Sequence, residues 1–394
     1  MSSYLRRISS RRLAALVAAL VVTLGAGAAI AIATSGPTPP PRPLADAVHT
    51  ALSGPQVGGV SARVTFTNRL IDGSGLSAGQ DPVLTGASGR LWISAAGDVR
   101  LELQSDGGAG DAQAVLQGDH WWLYHAASNT VFRGTLPPDA HPAAATDPHA
   151  PPTLAQVQRA IERLAAHADL SGATPTDVAG RAAYSVRLGP RRDGGLVSGA
   201  ELAFDAANGA PLRAAVYARG DASPVLQLVA TDVSFGAVPA SAFDIQPPKD
   251  AKVVELSPAK HAGAPGSHAA PVSGLAAVQG QVGFPVAAPA TLAGMDRSGV
   301  RLIGTGGKAG ALVTYGHGLG GIAVVQTPAG AGDGAVAPAG RDGGALPTID
   351  VGGTPATQLS TPLGTGLTFT RAGVRYVVLG SVTAATAQAA ARGL

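Results

Sequence analysis

Residues Gly89 to Leu103, GRLWISAAGDVRLEL, decide the reading of this chain. Leu91 and Ile93 alternate with Arg90 and Trp92, and Val99, Leu101 and Leu103 alternate with Arg100 and Glu102. Each run therefore has one apolar and one wet face at period two. Ala95-Ala96-Gly97-Asp98 supplies a turn between them, and the stretch reads as a β-hairpin. Upstream, Val60, Ala62, Val64 and Phe66 alternate with Ser61, Arg63, Thr65 and Thr67. Downstream, His120 to His125 (HWWLYH) sets Trp121 and Leu123 on one face and Trp122 and Tyr124 on the other. Further strands are predicted at Ala183 to Leu188, Ala200 to Phe204, Leu212 to Ala218 and Val225 to Phe235. The middle two are joined through Asp205 to Pro211 with an Asn208-Gly209 turn signal. The total is about eight antiparallel strands.

Two amphipathic helices flank these strands. One is predicted over Leu44 to Leu52, the other over Leu154 to His167, where Leu154, Val157, Ile161 and Leu164 recur at spacings of three and four. A Pro-, Ala- and His-rich run, Leu136 to Pro152, precedes the second and reads as a loop. Helices on one side of an antiparallel sheet make an α+β domain, placed at residues 44–258. Residues 259–274 have the composition of a linker, and strand-like runs resume at Val300 to Ile303, Ala311 to Tyr315, Ile322 to Gln326, Leu367 to Thr370 and Tyr376 to Leu379. They predict a smaller β-rich domain over 275–383, with a Gly/Ala-rich excursion at 328–346 and a tail at 384–394. Within that tail Ala384 to Ala391 is a short helix or a frayed end.

The ends of the chain carry its address. Residues 1–12 hold Arg6, Arg7, Arg11 and Arg12, and an uninterrupted apolar and small-residue run follows from Leu13 to Ala33. At about 1.5 Å per residue that run reaches roughly 30 Å, enough to cross a hydrocarbon core. Positive charge before it keeps the N-terminus cytoplasmic and sends the body outside. A retained single-pass anchor and a signal peptide cleaved after Ala33 remain the two readings, both extracytoplasmic. The Pro-rich stretch at 34–43 is an extended spacer.

Composition narrows the chemistry. The length of 394 residues suits two domains plus extras, and 45% hydrophobic against 13% charged residues excludes global disorder. The chain has no Cys, which removes disulfides, Cys-ligated metal and cysteine nucleophiles. The net charge of +3 is carried by the four N-terminal arginines, leaving a nearly neutral body without the positive field that nucleic acid requires. Gly75-Leu76-Ser77-Ala78-Gly79 fits a nucleophile elbow, but it sits in a Gly/Ser-rich loop with no helix following and no His and acid partners. Gly316 to Gly321 fits a dinucleotide fingerprint, but a strand follows at Ile322, so it reads as a hairpin loop. Gly307-Lys308 lacks the rest of a phosphate loop, and the nearest histidines, His120, His125, His141 and His149, lack metal-ligand spacing. No carboxylate pair is spaced for acid/base work. Neither catalysis, metal nor cofactor is expected.

Four stretches carry a resemblance: VSARVTFTNRLIDGSG (Val60 to Gly75), GRLWISAAGDVRLEL (Gly89 to Leu103), VLQGDHWWLYHAASNTVFR (Val115 to Arg133) and VPASAFDIQPPKDAKVV (Val238 to Val254). In this order they resemble the LolA-like lipoprotein and lipid carriers, a superfamily that includes the N-terminal domain of RseB. The Leu-Trp strand, the Gly-Asp-x-x-Trp-x-Tyr strand and the closing Phe-x-x-x-Pro-Pro carry it together. The resemblance implies a strongly curved antiparallel sheet, an unclosed β-barrel, with a helical lid over a concave apolar face that takes acyl chains. The two-domain layout is similar to RseB, which implies an anti-sigma factor or other envelope protein as a possible partner. Carriers of this kind tether the lid through a basic residue two positions beyond the Leu-Trp strand; here that position is Ala95. The missing latch argues for static binding rather than free shuttling. The expected lining is Val64, Phe66, Leu91, Ile93, Val99, Leu101 and Leu103, with Trp122 and Tyr124 as an aromatic wall at the mouth.

Overall fold

Alternation along Gly89 to Leu103 becomes two paired strands, with Leu91 opposite Leu101 and Ile93 opposite Val99. A computed structural model describes residues 37–55, 57–70, 86–104, 111–136, 153–192, 194–256, 272–304, 309–330 and 347–394. The apolar run at 13–33, Ser77, Gly307-Lys308, and most of the 136–152 loop, the linker and the 328–346 excursion lie outside these residues.

The first sheet contains β1 (Gly59–Asn68), β2 (Ala87–Ser94), β3 (Val99–Gln104), β4 (Asp111–Gln117), β5 (His120–His125) and β6 (Thr130–Thr135). It continues with β7 (Ala168–Leu170), β8 (Thr174–Val178), β9 (Arg181–Pro190), β10 (Val197–Asp205), β11 (Pro211–Ala218), β12 (Pro224–Phe235) and β13 (Lys252–Glu255). The order is β13-β6-β5-β4-β3-β2-β1-β12-β11-β10-β9-β7, with β8 paired to β9. Pairing is antiparallel except between β13 and β6. The sheet curls through 218° and does not close.

Helix α1 (Leu44–Leu52) buries Ala47 and Ala51 against Tyr184, Val186 and Phe204. Helix α2 (Leu154–Ala165) begins with a capping box in which the Thr153 hydroxyl accepts from Gln156 N while the Gln156 side chain accepts from Thr153 N. It packs on α1 and β7. Pairing carries the face beneath α1 across the sheet, since Val186 lies opposite Leu202, Leu202 opposite Ala214, Ala214 opposite Leu228 and Leu228 opposite Phe66. This helix-bearing side is the inner face.

The return from β12 to β13 crosses the outer face. Arg100 Nη1 donates to Ala242 O at 2.7 Å, and Asn129 Nδ2 donates to Asp250 Oδ2 at 2.9 Å. Phe243 in this strap is buried, as are Val115 and Val131 on the outer face.

A second, smaller sheet comprises β14 (Thr291–Leu292), β15 (Met295–Ile303), β16 (Gly310–Tyr315), β17 (Ile322–Pro328), β18 (Thr348–Asp350), β19 (Pro355–Thr361), β20 (Gly364–Arg371) and β21 (Val374–Gly380). Its order is β14-β15-β16-β17-β21-β20-β19-β18. Helix α3 is Leu275–Gln279. The C-terminal run is a helix, α4 (Ala384–Arg392), capped by the Thr383 hydroxyl and fixed by burial of Ala387, Ala390 and Ala391. Gly316 to Gly321 connects β16 to β17 as a hairpin loop, with Gly316 and Gly318 at φ 69° and 68°. Gln326 is buried and clamps the backbone of one residue, Oε1 accepting from Ala287 N at 2.8 Å and Nε2 donating to Ala287 O at 2.7 Å. Gln326→Leu is expected to cost about 2 kcal/mol in urea denaturation, because both backbone groups lose this partner in a dry core.

The two sheets meet where the β9–β10 loop reaches Ser381. Leu196 N donates to Ser381 O at 2.9 Å. The Ser381 hydroxyl accepts from Leu196 N at 3.0 Å and lies 2.8 Å from Leu363 O, to which it donates.

Candidate functional site

Side chains on the inner face stack in rows set by strand register. One row runs Ala62, Leu91, Leu101, Ala114, Leu123 and Phe132 across β1 to β6. Val64, Phe66, Leu91, Ile93, Val99, Leu101 and Leu103 all fall on this face and in one continuous apolar cluster with Leu228 and Ala230. Val64, Leu91, Leu101 and Leu103 are buried, whereas Phe66, Ile93 and Val99 are only half-buried. The cluster thus has a closed floor and an open margin.

Trp122 and Tyr124 stand on the outer face instead. Trp122 lies opposite Val115 and Arg133, and Tyr124 opposite Gln113 and Val131. The Tyr124 hydroxyl donates to Asn129 Oδ1 at 3.2 Å. The strand's inner positions are Trp121 and Leu123, both half-buried; their alternation with Trp122 and Tyr124 was the signal for them. Sequence reasoning also missed Leu202, an inner-face residue of β10 that is 40% exposed. Ala95 sits exposed in the β2–β3 turn, where the Ser94 hydroxyl donates to Asp98 Oδ2 at 2.9 Å.

The outer face gathers charge. On β10 the Glu201 carboxylate, 3% exposed, accepts from Arg187 Nε at 2.9 Å, from Tyr217 Oη at 3.2 Å and from Arg213 Nη2. The Arg187 guanidinium lies 4.8 Å from the Tyr217 ring centre. Burial opposes ionisation of Glu201, but the Arg213 charge and the hydrogen bonds from Arg187 and Arg213 outweigh it and hold the carboxyl below its usual range. Burial, followed by the Glu201 charge, pushes the Tyr217 hydroxyl up. These partners satisfy the carboxylate structurally and offer no nucleophile.

A pocket of about 310 Å³ lies at the β8–β9 and β10–β11 turns, lined by Pro37, Gly180, Arg181, Ala182, Asp205, Ala206 and Ala207. It contains none of the nine expected lining residues. The Arg181–Asp205 ion pair at 2.8 Å forms part of its wall. Among the described residues, no group of three or more His, Asp or Glu is placed to hold a metal ion, and no helix is long and apolar enough to cross a membrane.

No family model matches the chain, and no curated protein does. Among solved structures it is similar to the MucA/MucB complex of Pseudomonas aeruginosa, at 17% identity over 88% of this chain and 96% of that one, with a TM-score of 0.43. A putative outer membrane lipoprotein-sorting protein domain from Vibrio parahaemolyticus is 11% identical over 48% of this chain and 89% of that one, with a TM-score of 0.21. A DUF1329 family protein from Desulfovibrio piger is 12% identical over 51% of this chain and 96% of that one, with a TM-score of 0.23.

Proposed function

We propose that this is an extracytoplasmic protein, tethered through residues 13–33, that binds the acyl chains of lipids or lipoproteins non-covalently on its inner face as a carrier or acceptor. One observation carries the reading: within an unclosed curl, large aliphatic and aromatic side chains line one continuous face and stay half-open at Phe66, Ile93 and Val99. Each methylene taken from water contributes about 0.8 kcal/mol, so a chain of about 15 carbons carries roughly 12 kcal/mol of gross burial. Such a face needs no catalytic group to hold it.

Mild-detergent extraction followed by lipid mass spectrometry tests the reading. Wild-type protein is expected to carry acyl lipid in near-stoichiometric amount, and Ile93→Asp to lose it at least about tenfold, because a carboxylate at the open margin must be dehydrated by the chain. The variant should remain folded, since Ile93 is only half-buried. Undiminished lipid on folded Ile93→Asp would sink the proposed lining. A lipid-free protein that retains a stable polypeptide partner would instead favour a regulatory module binding an anti-sigma factor or other envelope protein.

A further inference from the structure

We infer that the inner face selects its ligand by hydrocarbon alone and leaves the headgroup unread. The inference rests on the acyl-chain reading and names the ligand class: aliphatic amphiphiles whose headgroup stays in water, whatever its charge. It is carried by the segregation of charge across ten described strands, β1–β6 and β9–β12.

Register shows where each charge lies. Arg63 is opposite Arg90 and Asp232, Arg90 opposite Glu102, Trp92 opposite Arg100, and Trp122 opposite Arg133. All occupy the outer rows, as do Arg187, Glu201 and Arg213 on the far half of the sheet. The inner rows of these strands contain no Asp, Glu, Lys or Arg. One reads Leu91, Leu101, Ala114, Leu123, Phe132, and another, on the far half of the sheet, reads Phe66, Leu228, Ala214, Leu202, Val186. Among the described strands, charge returns on that side at the edges, with Asp177 on β8 and Lys252 on β13, and the helices above carry Asp46 on α1 and the exposed Arg159, Glu162 and Arg163 on α2.

The few inner polar groups are turned to the protein itself. The Thr130 hydroxyl donates to Ser128 O at 2.9 Å, and His125 Nδ1 lies 2.8 Å from the Ser128 hydroxyl. Asn68 Oδ1 accepts from Leu70 N at 2.8 Å. A phosphate or carboxylate drawn into the curl would lose its hydration with no counter-charge to replace it, so it remains at the water boundary while the chain goes in. Affinity is then set by chain length, and on these ten strands neither headgroup charge nor salt has a partner to act on.

Displacement of a fluorescent polyene fatty acid from the full chain tests this, using amphiphiles below their micelle concentrations. Myristate, monomyristoylglycerol, myristyl phosphocholine and myristyl trimethylammonium share one tail and differ in charge. Their affinities are expected to agree within about threefold and to hold across roughly a tenfold change in salt. Lengthening the tail should tighten binding by about fourfold per methylene. A preference beyond about tenfold for one headgroup charge would overturn the inference and leave acyl binding intact. Failure of the polyene probe to bind at all would overturn both.

Discussion

Glu201→Gln is expected to lower the stability of the first sheet by about 3 kcal/mol, measured by chemical denaturation at neutral pH. The carboxylate sits nearly out of water between Arg213 and Arg187, and the amide removes its charge at almost unchanged volume. The Arg213 side chain, 27% exposed, then keeps a positive charge in a poorly hydrated place, with its Nε buried and without a partner. Arg187 is mostly in water and contributes little to the loss. The pH dependence has a definite sign. The folded carboxyl titrates below the ordinary glutamate value of 4.5, so its stabilisation is present above that value and disappears as pH falls through the folded pKa. Glu201→Gln should therefore flatten this acid limb, and a variant as acid-sensitive as wild type would assign the limb to other carboxylates.

Gly195→Ala should separate the two sheets energetically. Gly195 has φ +63°, and a Cβ built there meets Ser381 O at 1.8 Å, a backbone atom that cannot swing aside. The left-handed conformation costs an alanine about 1–2 kcal/mol, and opening the contact forfeits the Leu196–Ser381 hydrogen bonds at about 1 kcal/mol each. Calorimetry is expected to resolve two transitions where wild type gives a coupled one, and the Leu196 and Val197 amides should lose hydrogen-exchange protection. Ser381→Ala, which keeps the Leu196 N to Ser381 O bond, should show a weaker form of the same change. A single unshifted transition in Gly195→Ala would mean that this loop does not couple the sheets.

Strands with strict alternation were legible because their signal is local: β2, β3 and β5 lie where the pattern of Leu91 to Leu103 and His120 to His125 puts them. β4, β6 and β19 were not placed, and neither were β7, β8, β13 and β18, whose three to five residues carry too little periodicity and which owe their form to a neighbouring strand. The Ala-rich end was ambiguous for a related reason. Alanines favour a helix without fixing one, and the burial of Ala387, Ala390 and Ala391 against the second sheet decides it. For the candidate site, alternation assigned seven lining residues to one face. It also separated Trp121 and Leu123 from Trp122 and Tyr124, but it cannot say which of the two sets faces inward until β5 is registered against β4. The Arg187, Glu201 and Arg213 grouping needs the same information, because its members sit on three strands and only pairing brings them together.

The strap from Gly236 to Ala251 ties β12, near the middle of the curl, to β13 at its far rim, holding on through Ala242 and Asp250 as it passes. A belt fastened at both ends and riveted between them fixes the aperture of a gutter that hydrogen bonding along its rims leaves open. Widening it would break the hydrogen bonds to Ala242 and Asp250 together, so the gape is built during folding and a guest finds it ready-made, with little reshaping to subtract from its grip.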